Sequence, residues 1–162
     1  MISVELRAKP KVKRWLKQHE IDFKVLEKCL NIFLNSIRMF DASDSATIEI
    51  KNCNDHSSGY YFGFNELHIT KHLGQNGWSV EKKFDTFVGH LLHEIRHWVQ
   101  DNMLGVAECK LNYSDEDCEK ERRKYYYNRW EVDARRFERR YKSEFIDLYI
   151  ALEKLSEKPD LK

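Results

Sequence analysis

Residues 93–97 read His-Glu-Ile-Arg-His. Residues four apart on an α-helix stand about 40° apart around its axis, so His93 and His97 are expected to project side by side toward one point. Two imidazoles placed in this way suit a divalent metal, zinc above all. Glu94 falls about 100° round from His93, beside such a metal rather than on it. It is then positioned to take a proton from a water and pass it to a leaving amine, while the metal lowers the pKa of that water and polarises a carbonyl. A third protein ligand is required. The seven histidines are His19, His56, His68, His72, His90, His93 and His97, and none follows His97. The third ligand is therefore expected to be a downstream carboxylate, with an upstream histidine as the weaker alternative. Glu131, 34 residues after His97, leads. Ala134, one helical turn further on, is small enough to let two helices approach. Asp133 is the rival, followed by Glu108, Glu119 and Glu121.

Helical spacing also nominates supporting residues. Asp101 follows His97 by four and is expected to orient its ring, since metal-bound histidines usually donate their second N–H to an acceptor. Tyr127 precedes Glu131 by four and is a candidate donor to a tetrahedral oxyanion, with Tyr113, Tyr125 and Tyr126 as competitors. His90, one turn before His93, reads as a core or hydrogen-bonded histidine, with a fourth ligand as the alternative.

The His-Glu-x-x-His run followed by Glu131-x-x-Ala134-x-x-Phe137 resembles the gluzincin-type zincin metallopeptidases, and distantly the ImmA/IrrE-like group. In that group a Glu on the helix after the first motif completes the zinc site, which implies Glu131. Asn65-Glu66-Leu67-His68-Ile69-Thr70 is similar to the edge strand with which the family holds an extended substrate. The resemblance spans roughly residues 60–140. It departs at Arg135, where the family commonly has Asn or Asp, and at Arg96, where it has Gly.

Elements must bring these residues together. Alternation over Ile2–Ala8 suits a strand closed by Pro10. Val12–His19 has room for one or two helical turns, and Ile21–Met39 carries a helical apolar stripe. Thr47–Lys51, Tyr60–Phe64 and Leu67–Thr70 read as strands. The motif helix is expected over residues 81–102. Ser114 followed by three acids looks like a helix start, leading into the Tyr125–Arg140 region. Ser143–Leu155 reads as a further helical stripe. The fold expected is α+β: a small mixed β-sheet with an edge strand, packed on a helical body, as a zincin-like minimal domain.

Composition fits one domain over residues 1–162. Charged residues make up 34% and Gly and Pro only 6 and 2, which favours solvated helices over an all-β chain. No apolar run is long enough to span a bilayer, and the first residues lack an apolar signal core, so no membrane contact and a cytoplasmic setting are expected. Cys29, Cys53, Cys109 and Cys118 are scattered and read as reduced thiols. Lys120–Lys142 carries ten basic residues against four acids, interleaved with Tyr125–Tyr127 and Trp130. That helix is a candidate nucleic-acid contact, and a solvated face is its plainer reading. The expected activity is zinc-dependent hydrolysis of a peptide bond in a protein or peptide substrate. Glu94 and Tyr127 are the catalytic candidates, and His93, His97 and Glu131 the ligands of Zn2+. The alternative is a nucleic-acid- or protein-binding module with a structural metal and the basic helix 120–142.

Overall fold

The structure is a computed structural model and describes residues 3–37, 45–55, 58–61, 64–104 and 129–156. Among them are four strands and four helices: β1 (Ser3–Ala8), α1 (Pro10–Gln18), α2 (Phe23–Ser36), β2 (Ser45–Cys53), β3 (Gly59–Tyr61), β4 (Glu66–Thr70), α3 (Val80–Leu104) and α4 (Arg129–Ser156). This is a mixed α/β arrangement with a small open sheet in the order β1-β2-β4-β3. β1, β2 and β4 run parallel, and β3 folds back antiparallel on β4.

Local chemistry accounts for the elements. In β1, Val4 and Leu6 are buried while Ser3, Glu5 and Arg7 face solvent. Pro10 starts α1, where its fixed φ suits a first turn and its missing N–H is not needed. The run expected to make one or two turns is thus a full helix, with Val12 and Leu16 buried on one side. Asp22 caps α2 by accepting from the Lys24 and Val25 N–H groups at 2.8 and 3.0 Å, a device worth about 1 kcal/mol. From α2, Asn31 brackets Val4 of β1: its Oδ1 accepts from Val4 N and its Nδ2 donates to Val4 O, both at 2.7 Å. Glu27 Oε1 accepts from Leu6 N at 2.9 Å. These side chains occupy the outer edge of β1, which closes that border to further strands.

Two expectations change. Leu67–Thr70 is expected at the sheet edge, but β4 lies between β2 and β3, and β3 is the edge strand on that side. Leu67, Ile69 and Thr70 are all fully buried, as an interior strand requires. The two helical stripes expected around Tyr125–Arg140 and Ser143–Leu155 form one helix from Arg129 onward, because no Gly or Pro interrupts residues 129–156. The helix start expected at Ser114 lies outside the described residues.

The core is built where α3 packs on the sheet and on α4. Phe87, Val88, Leu91, Leu92 and Ile95 of α3 are fully buried. Phe33 of α2 meets Phe137, Tyr141 and Phe145 of α4 edge-on, with ring centroids 5.2–6.2 Å apart. The Tyr149 hydroxyl accepts from Asp22 N at 2.8 Å and ties the far end of α4 to the start of α2. No helix among the described residues is long and apolar enough to cross a membrane.

Candidate metal centre

α3 carries His93, Glu94 and His97, and the first turn of α4 presents Glu131 to them. His93 Nε2 lies 3.2 Å from Glu131 Oε2, and His97 Nε2 lies 3.1 Å from Glu131 Oε1. The two Nε2 atoms are 3.2 Å apart. One donor atom from each of the three residues falls within 4.8 Å of the others. Ala134 is fully buried one turn after Glu131, which allows the two helices to close here.

The donor set suits a divalent metal. Ligand bonds of about 2.0–2.2 Å at tetrahedral angles hold donor atoms roughly 3.3–3.6 Å apart, and the observed spacings need only a few tenths of an ångström of expansion. The rings are also oriented from behind. His97 Nδ1 lies 2.8 Å from Gln100 Oε1, which accepts its proton and leaves Nε2 as the donor atom toward a metal. Gln100 is fully buried, and its amide donates to Trp130 O at 3.1 Å and Asp133 Oδ2 at 2.9 Å. Asp133 also accepts from Arg96 Nε at 2.7 Å. His93 Nδ1 faces Glu138 Oε2 at 3.8 Å. Gly89 makes that approach possible, since a Cβ there would stand 2.9 Å from Glu138 Oε1.

The electrostatics express the same convergence. Burial disfavours the His93 imidazolium, but the hydrogen bond to Glu131, the Glu138 carboxylate 3.8 Å away and the other nearby carboxylate charges outweigh it and lift its pKa to about 10. Burial likewise opposes ionisation of Glu131, yet the bonds from His93 and His97 hold its pKa down at about 2. Without a metal, therefore, the cluster rests as an imidazolium–carboxylate pair. Glu94 is only 4% exposed, and burial raises its pKa to about 7 against the pull of His93 and His97. The Tyr60 backbone N–H of β3 donates to its carboxylate. Glu94 is not one of the three grouped donors. With His93 it lines a cavity of about 410 Å³, whose walls include Ser58, Gly89, Arg135 and Glu138.

The other site candidates divide three ways. Asp133 supports Gln100 and Arg96 and does not join the ligand group. Asp101 accepts from the Tyr60 hydroxyl at 2.8 Å and does not orient His97. Positions i+3 and i+4 share a helix face, and it is Gln100, on the α4 side, that sits behind His97. His90 lines the cavity outside the group, and burial lowers its pKa. Tyr127 lies outside the described residues, as do Tyr113, Tyr125, Tyr126, Glu108, Glu119 and Glu121. In the described part of the basic stretch, Arg135 pairs with Glu131 at 3.8 Å and Lys142 with Asp85 at 2.9 Å. Gln100 and Glu138 escaped the sequence reading. The i+3 spacing from His97 and i+7 spacing from His93 were the available signal for the first, and the i, i+7 spacing from Glu131 for the second.

No family model, curated protein or solved structure matches the chain. Fold and site define a mixed α/β protein with a His-His-Glu group able to hold a metal ion.

Proposed function

We propose that the chain is a zinc-dependent peptidase, with zinc held by His93, His97 and Glu131 and Glu94 as its general base and acid. The observation that carries this reading is Glu94: a buried carboxylate beside the three donors, outside their group and on the wall of an open cavity. A structural metal site has no use for such a group. Zinc bound there supplies a water of lowered pKa and polarises the scissile carbonyl.

The chain's own residues carry the remaining roles. Glu94 accepts the proton of the attacking water at its carboxylate and returns it to the leaving nitrogen. Gln100 and Glu138 hold the two imidazoles in orientation. Arg135 places a permanent positive charge on the cavity wall, where negative charge develops on the carbonyl oxygen. With the outer edge of β1 occupied by α2, β3 is the border at which an extended peptide adds a strand.

The test is zinc-loaded wild type against Glu94→Gln, incubated with a complex peptide mixture in which new termini are mapped. Both proteins should hold one zinc. The variant should cleave about 10²–10⁴-fold more slowly. Equal cleavage would remove Glu94 from the mechanism, and absence of cleavage by either would favour a structural metal in a binding module.

A further inference from the structure

A second cavity, of about 580 Å³, shares no lining residue with the metal centre. It lies where three parallel strands end. β1, β2 and β4 run the same way, so their carboxyl ends share one border of the sheet. Lys51 and Asn52 stand near the end of β2, Lys71 follows β4, and α1 begins two residues after β1. Parallel α/β sheets bind ligands at this border, where helix N-termini present unpaired N–H groups.

The lining is one-sided in charge. Lys9, Lys11, Arg14, Lys51 and Lys71 contribute five cations, and no carboxylate lines the cavity. Lys51 is bonded to Glu66, but Lys71 is bonded to the neutral Asn54 Oδ1. On α1, Lys11, Arg14, Trp15 and Gln18 follow the i, i+3, i+4, i+7 pattern and present one face to the cavity. The first turn of α1 has no acid to balance them. Converging like charges cost folding stability, and an anion rich in oxygens answers that cost.

We infer that this cavity binds a compact phosphate-bearing ligand of nucleotide size, its phosphates met by the lysines and Arg14 and its ring by Trp15. The volume lies within the range that encloses such molecules. A nucleic-acid strand carries the same phosphates, but here cations from α1 and from the sheet close around one cavity instead of tracking along a groove. The inference stands apart from the peptidase reading, since it uses none of the metal-centre residues.

The test is calorimetric titration of the zinc-loaded full chain with ATP, with inorganic pyrophosphate and with a short oligothymidylate. ATP should bind with Kd below about 100 μM, and the oligonucleotide no more tightly. Lys11→Glu/Arg14→Glu, at exposed positions, should weaken ATP by at least about tenfold. Lys71→Glu, also at an exposed position, should weaken it as well. Heat from zinc withdrawal would persist in these variants and so subtracts out, and elemental analysis should find their zinc unchanged. Failure of both ATP and pyrophosphate to bind, or unaltered binding in the Lys11/Arg14 variant, overturns the inference. Binding of the oligonucleotide alone overturns it in favour of a nucleic-acid surface.

Discussion

Replacing Gln100 with leucine removes the orienting contact of His97 while nearly conserving volume. Gln100 accepts from His97 Nδ1 and donates to Trp130 O and Asp133 Oδ2. Asp133 keeps Arg96 as a donor and the Trp130 carbonyl lies within α4, so the group stranded by Gln100→Leu is the buried His97 N–H. Loss of an outer partner of a metal-bound histidine costs about 10–100-fold in metal affinity, or roughly 1.4–2.7 kcal/mol. The zinc-free chain loses about 1 kcal/mol as well, since one unpaired buried N–H outweighs the apolar gain of leucine. For a domain of this length that lowers the melting temperature by about 2–4 °C. Competition with a chromogenic chelator measures the affinity, and scanning calorimetry the stability. Asp101→Asn is the control and should leave zinc affinity unchanged, because Asp101 serves Tyr60. Zinc affinity of Gln100→Leu within about threefold of wild type, or a larger loss in Asp101→Asn, would refute the orienting role.

Three further outcomes follow from the same geometry. Glu131→Ala should lose zinc on dialysis, whereas Asp133→Asn should keep it with an affinity reduced only severalfold, as read by elemental analysis. Gly89→Ala should hold or raise the melting temperature through helix propensity, yet weaken zinc binding severalfold, because the new Cβ displaces Glu138 from His93. In the zinc-free chain, the raised His93 pKa gives stability that is full below its unfolded value of 6.5 and lost as pH climbs toward about 10. The lowered Glu131 pKa gives stability that is full above 4.5 and lost as pH falls toward about 2. The pair should therefore support the metal-free chain best between those two unfolded values. Zinc uptake near neutral pH should release about one proton from His93, measurable by titration in buffers of different ionisation enthalpy.

The ligand group was legible in the sequence because its signals are local. His93 and His97 are fixed by helical period, and the lack of a later histidine pushed the third ligand to a carboxylate on the next helix. Partners that depend on how helices rotate against one another were not legible. Gln100 and Asp101 share a face of α3, and only the placement of α4 decides which of them meets His97. Strand order was hidden for a similar reason: alternation in Leu67–Thr70 marks a strand but not which neighbours flank it, and β3, only three residues long, took the edge. The basic face of α1 escaped because the overall charge balance of +1 conceals a local run from Lys9 to Lys17 without a single acid.

An open zinc site at His93, His97 and Glu131 is testable by anomalous diffraction at the zinc edge from crystals of the zinc-loaded chain. One zinc per chain is expected, bound by His93 Nε2, His97 Nε2 and a Glu131 oxygen, with the remaining position free of protein and facing Glu94. Zinc held by a fourth protein ligand, or bound away from these three residues, would contradict it.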